Sequence, residues 1–471
     1  MALRRVSSRV ACATTLAFLA LSAGAQGVPE PTALSQTVSI GDVIRAEDTQ
    51  AAATKTTALP IHLIYVHGMN DVGSNDSEML QKAICRYLHE CTMHRDDPMY
   101  AEGPFALTAT QPNLTYLQQP IWVTPEEWHA SAPFIQRYRI SGGGHAPIVL
   151  DELNWYPLVY PLKCKFLLPG DAMLTGSVKD KLGVCQPKSN QPDSTSPGHF
   201  LSYRWMPNGP LFTTDLPLQH ATLINRTLKV NVMDWGFGDA VLALGPMREI
   251  MTAAIRQLLA QSLANVVPVQ AGAPQSADDE KVPVFFVTHS LGSYLSLTAM
   301  DSAWLGSTPT EVMGFSMSDE QAQAVDYFAR HTTGFYFLAN QIGLMELARI
   351  SPPSADAQPD CSRAATQAVR SSPEPASAAL SHYGCMRHNY LNSHAGVAPQ
   401  NTGPQIIAWS AADDILSWYV PAVTGVAVVN LPAHNSGFRI PKLIASPASA
   451  HGNYAKSPSV VRGIFMPTAP H

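Results

Sequence analysis

The sequence predicts an α/β protein, a mostly parallel sheet with helices on both faces. Short β-favouring runs recur along the chain, each bounded by turn residues. Stretches with apolar residues at helical spacing lie between them. Two of the β runs end in a tight glycine-containing or serine-containing turn that leads into such a stretch.

Residues 1–25 read as an export signal. Arg4, Arg5 and Arg9 make a basic start, Ala11 to Leu21 an apolar run, and Ala23-Gly24-Ala25 the small residues a signal peptidase needs. The apolar run is too short to span a bilayer, and no later stretch reaches about 18 uninterrupted apolar residues. A secreted or periplasmic protein without a transmembrane anchor is expected. Residues 26–57, rich in Ala, Thr, Gln and Pro, read as a flexible lead-in to a domain spanning 58–468.

Ile61 to Val66 favours a strand and ends at His67-Gly68. Asn75 followed by Glu78 fits a capping box, and Leu80, Ala83, Ile84, Tyr87 and Leu88 give the helix behind it one buried face. Pro147 to Tyr156 resembles a strand. The surrounding block, about 100–235, is too long and irregular for an ordinary connection, so it reads as an insertion, either a cap over a site or a decorative surface domain. Its Trp122, Trp128, Phe134, Tyr156, Phe166 and Trp205 suit an acyl pocket or a small core of their own.

From Met247 a strongly amphipathic helix carries Ile250, Met251, Ala254, Ile255, Leu258 and Leu259, with Pro246 near its start. An acidic linker covers about 270–281. The clearest strand, Val282 to Thr288, then runs into His289-Ser290-Leu291-Gly292 and a helix holding Tyr294, Leu295 and Thr298. Phe335–Leu338, Ile406–Trp409 and Val426–Leu431 complete the strands, and 351–380 reads as a Ser, Ala and Pro-rich loop. Ser457 to Ile464 can form a terminal helix.

Charged residues are only 14%, the net charge is −6, and there is no long run of Lys or Arg. That argues against nucleic acid and against electrostatic adhesion to an anionic membrane. Of 7 cysteines, Cys12 lies in the leader; the others fall as the sequence-local pairs Cys85/Cys91, Cys164/Cys185 and Cys361/Cys385. Local closure costs least chain entropy, so these pairings are favoured among the fifteen possible. No pair of Cys-x-x-Cys knuckles suggests a structural zinc.

Hydrolysis of an ester at neutral pH needs an activated nucleophile, a base and a sink for the oxyanion. Ser290 fits the first need. On a sharp strand-to-helix turn a serine is pushed out at the end of the sheet, and small residues two before and two after keep that turn free of clashes. Gly292 fills the later position. Thr288 stands where glycine is usual, so the turn must be roomier there.

On these residues the chain resembles the α/β-hydrolase superfamily, especially its bacterial secreted lipase and esterase branches with an H-S-x-G elbow. The resemblance spans most of 58–468 but is motif-specific at only four places. It implies an oxyanion hole made by the backbone N–H groups of Leu291 and Met69, with His67 bracing the glycine turn. It also implies an acid after a later strand. Ser410 to Trp418 looks like an S-x-x-N/D-D-L-L-S-Y/W pattern of uncharacterised hydrolases, which favours Asp414 over Asp413 and leaves the other to cap a helix beginning at Ile415. The base then lies in a loop after the last strand, as His451 in Ala450-His451-Gly452-Asn453-Tyr454, with His434 as the alternative. The order Ser290, Asp414, His451 is the superfamily's order.

The expected function is therefore an exported serine hydrolase of carboxylic esters, acting on a small-molecule or lipid ester with no metal or organic cofactor. A thioesterase, amidase or peptidase on the same scaffold, and a non-catalytic envelope binding protein, are the alternatives.

Overall fold

The computed structural model describes residues 38–69, 76–101, 132–166, 236–245, 247–266, 282–301, 324, 327–328, 331–347, 380, 405–420, 427–433, 439–440, 444–445 and 447–466. Their centre is a nine-stranded mixed, mostly parallel sheet. In chain order its strands are β1 (Ile61–Val66), β2 (Cys91–Arg95), β3 (Met99–Tyr100), β4 (Phe134–Gly142), β5 (Ile148–Asn154), β6 (Val284–His289), β7 (Thr332–Leu338), β8 (Gln405–Ser410) and β9 (Ala427–Pro432). Their order in space is β2-β4-β5-β1-β6-β7-β8-β9, with β3 paired to β4. The six strands from β5 to β9 along this order are parallel, whereas β2, β3 and β5 run antiparallel to β4.

Strand residues alternate between two cores, as the period of two requires. Ile64, Val66, Phe286, Phe335, Phe337 and Ala408 face one cluster. Leu63, Tyr65, Phe285, Val287, Tyr336 and Trp409 face the other. The helices are α1 (Ile40–Thr54), α2 (Glu78–Leu88), α3 (Tyr160–Phe166), α4 (Gly238–Leu244), α5 (Met247–Val266), α6 (Leu291–Asp301), α7 (Ile342–Leu347), α8 (Pro447–Gly452) and α9 (Pro458–Phe465). Helices α5 and α6 cover the first cluster, while α1, α2 and α9 cover the second. Each fully buried Leu or Phe contributes about 1.5–3 kcal/mol, so these two faces hold the sheet. Among the described residues, no helix is long and apolar enough to cross a membrane.

Several local expectations need correction. Part of the supposed flexible lead-in is α1, closed at its start by a capping box between Ser39 and Asp42 and anchored by buried Ile40 and Ile44. Its short apolar segment precedes an Ala, Thr and Gln tract whose composition masks it. The block expected as a separate cap contributes β3, β4 and β5 to the main sheet, with β5 directly beside β1. Strand β4 was hard to see because Gln136 and Arg137 interrupt its apolar run, yet both are buried. Helix α2 begins after Ser77, not Asn75, and Glu152 accepts the Ser77 and Asp76 N–H groups at 3.2 Å each. No helix begins at Ile415; residues 411–420 are turns and irregular chain.

A disulfide joins Cys85 in α2 to Cys91 in β2. Of the other two proposed pairs, Cys185, Cys361 and Cys385 lie outside the described residues. So do Pro246, His434 and, within the proposed cap, Trp122, Trp128 and Trp205.

Candidate active site

Strands β1, β6, β7 and β8 all deliver their C-terminal ends to one edge of the sheet, where parallel α/β folds place ligands. At that edge β6 breaks into α6 through Ser290, whose φ is +55°. A left-handed backbone is unfavourable for a residue with a Cβ, costing on the order of 1–3 kcal/mol. The Ser290 N–H is tied to the Leu338 carbonyl at 2.8 Å, which helps impose the turn.

The neighbours of this turn explain its small residues. A Cβ on Gly292 would lie 2.2 Å from the Val66 carbonyl oxygen, so α6 can approach β1 only without one. A Cβ on Gly68 would lie 2.5 Å from the Ser290 Cβ, which places the His67-Gly68 turn against the elbow. Thr288, where the resemblance has glycine, is buried, and its Oγ1 sits 2.7 Å from Ser293 Oγ across the elbow. The extra atoms are thus accommodated by a hydrogen bond rather than by empty space.

Three of the residues singled out by the sequence form one hydrogen-bonded chain. His451 Nε2 lies 2.8 Å from Ser290 Oγ, and His451 Nδ1 lies 2.9 and 3.0 Å from the two carboxylate oxygens of Asp414. The Asp414 side chain is fully buried, whereas that of His451 keeps 15% exposure. A buried carboxylate at Nδ1 fixes the tautomer that leaves Nε2 free to accept the serine proton. His451 occupies the last turn of α8, a short helix, rather than a loop. Asp413 is partly exposed and is not the residue that meets His451.

The Leu291 N–H is a first-turn amide, which an α-helix leaves without an internal partner. Met69 follows the Gly68 turn and packs partly buried against the first core cluster. His67 lies flat on Trp155, ring centroids 4.8 Å apart at 10°, with Nδ1 donating to the Gly68 carbonyl at 2.8 Å. Burial lowers its pKa to about 4, so it is a neutral ring that braces the turn.

Two contributors were not singled out by the sequence. His289 donates from Nε2 to the His451 carbonyl at 2.9 Å, and burial, followed by the nearby His451 ring, pushes its pKa down. Tyr454 donates to Asp414 Oδ2 at 2.8 Å. Tyr454 stands three residues after His451, and an aromatic beside the base was the only sequence signal available for it.

Among the described residues no group of three or more His, Cys, Asp or Glu side chains gathers to hold a metal ion. Comparison with protein families, curated proteins and solved structures finds nothing that matches the chain.

Proposed function

We propose that the protein is an exported serine hydrolase with an α/β-hydrolase fold, cleaving carboxylic esters through Ser290, His451 and Asp414. The observation that carries this reading is the unbroken hydrogen-bond chain from a left-handed serine to a buried carboxylate, set at the C-terminal edge of parallel strands. Export is supported by the basic, apolar and small-residue order of residues 1–25, and by the Cys85–Cys91 disulfide, which suits an oxidising compartment.

In this reading Ser290 Oγ attacks the ester carbonyl carbon while His451 Nε2 takes the hydroxyl proton. The carbonyl electron pair moves to its oxygen, which the Leu291 and Met69 N–H groups stabilise. Collapse of the tetrahedral intermediate breaks the bond to the alcohol oxygen, and His451 returns the proton to that leaving group. A water then attacks the acyl-enzyme by the same route, releasing the carboxylic acid and restoring Ser290. Asp414 balances the imidazolium.

The test is a fluorophosphonate probe together with p-nitrophenyl butyrate. The wild-type chain should be labelled at Ser290 and should turn over the ester, and Ser290→Ala should do neither. Unchanged turnover in Ser290→Ala would remove the proposal. One acyl group presented as ester, thioester and anilide then fixes the preferred leaving group.

A further inference from the structure

The Tyr454 hydroxyl has a defined direction. It accepts the Ala411 backbone N–H at 2.8 Å, and an amide nitrogen can only donate. It donates to Asp414 Oδ2, 2.8 Å away, and the Ser417 hydroxyl is a further hydrogen-bond neighbour. The other Asp414 oxygen accepts the Leu416 N–H at 3.0 Å, so the carboxylate is held from two sides as it faces His451. Tyr454 is wholly buried, and burial followed by the Asp414 charge pushes the phenol above its usual range, so it keeps this proton. Ala411 and Asp414 belong to the turn after β8, whereas Tyr454 belongs to the segment that also carries His451. One hydroxyl thus joins the two pieces of chain that must stay in register for the acid to meet the base.

Taking Ser290 as the nucleophile proposed above, we infer that Tyr454 is a positioning residue, a fourth member of the proton-transfer chain acting through Asp414. Its O–H locks the rotation of the carboxylate and draws negative charge away from the imidazole. A hydrogen bond shared with Tyr454 leaves the carboxylate less able to stabilise the imidazolium. Removing it gives two separable effects: looser alignment, which slows proton transfer, and a stronger pull on the His451 proton. Among the described residues, the titratable groups facing His451 are Asp414 through Nδ1, the His289 ring 5.2 Å away and, through Asp414, Tyr454. The Asp76 charge acts on the neighbouring His289.

Tyr454→Phe keeps the ring and deletes only the oxygen. It should lower kcat about tenfold with KM little changed, and fluorophosphonate labelling should slow in step. The His451 ring titration, followed by NMR, should move upward together with the acidic limb of kcat/KM. A purely structural tyrosine would lower activity equally at every pH and leave that titration alone. In an Asp414→Asn background the further loss from Tyr454→Phe should shrink to within about twofold, because no charge remains to be positioned. Since Tyr454→Phe also strips the Ala411 N–H of its acceptor, its fold is checked by circular dichroism. If it does not fold, 3-fluorotyrosine at position 454 keeps the hydroxyl as a stronger donor and should move the His451 titration downward. A labelled wild type whose His451 titration is unmoved by either change overturns this inference and leaves the hydrolase reading standing. A wild type that resists the probe overturns both.

Discussion

Among the described residues, two clusters bring a serine, a histidine and an aspartate within hydrogen-bonding distance, and their surroundings differ sharply. One is Ser290, His451 and Asp414 at the C-terminal edge of the sheet. The other is Ser262, His62 and Asp151, where Asp151 Oδ2 lies 3.0 Å from His62 Nε2 and 2.5 Å from Ser262 Oγ. In the second cluster Arg137 clasps the same aspartate with two bonds of 2.6 Å, and all four residues are buried. Burial alone would raise the Asp151 pKa, but the Arg137 and His62 hydrogen bonds outweigh it and hold its carboxyl well below the usual range. Its serine sits inside α5 towards the C-terminal end, and its histidine is near the start of β1. The residue types match. What separates the proposed site from the second cluster is the left-handed serine, the partly exposed imidazole and an aspartate whose described partners are His451, Tyr454 and the Leu416 N–H rather than an arginine.

The sharpest way to break this distinction is to remove each serine. Ser290→Ala should cost at least about 10⁴-fold in turnover of p-nitrophenyl butyrate, while Ser262→Ala should leave kcat of the folded protein intact. If Ser262→Ala silenced a folded protein, the second cluster would have been misread.

The aspartates should diverge as clearly. Asp414→Asn should lower kcat by about 10⁴-fold, since the histidine loses the partner that sets its tautomer. Asp151→Asn instead leaves the buried Arg137 poorly paired and should cost about 3–5 kcal/mol of stability. Urea unfolding beside specific activity separates the two outcomes. The Asp151 carboxyl is depressed, so its stabilisation is present above the unfolded carboxylate range and is lost only as pH falls through the folded value.

The next residue along β5 sharpens the contrast from the opposite direction. Glu152 points to the other face, where its described hydrogen-bond partners are the Ser77 hydroxyl and the Asp76 and Ser77 N–H groups, and burial raises its pKa from 4.5 to about 7. A raised carboxyl gives stability that is full below the unfolded value and lost as pH rises through the folded one. Wild-type stability should therefore decline between about pH 5 and pH 8, by at most roughly 3 kcal/mol. Glu152→Gln should flatten that decline in urea midpoints measured across the range.

The α/β architecture was legible because strands such as Val284–His289 and Thr332–Leu338 are apolar on both faces and end in clear turn residues. Strand β4 was not, since its polar residues are satisfied by partners distant in sequence: Arg137 by Asp151, and Gln136 by Arg95 and the Asp96 carbonyl. Helix α1 was missed for a related reason, as it buries little more than its first turn. At the site, Ser290 could be read from its local turn, and chain order pointed to Asp414 and His451. Tyr454 could not be read, because its role rests on an amide 43 residues away. Nor could composition tell the Asp151 cluster from the Asp414 cluster, for Arg137 enters only through strand pairing.

With Ser290 as the proposed nucleophile, its left-handed backbone sets heat tolerance against activity. Glycine accepts that conformation freely, so Ser290→Gly should outlast Ser290→Ala by about 1 kcal/mol while being equally inert. Selection for thermal survival alone would drift toward glycine at position 290 and erase the nucleophile. Only a screen that also demands turnover would retain the serine.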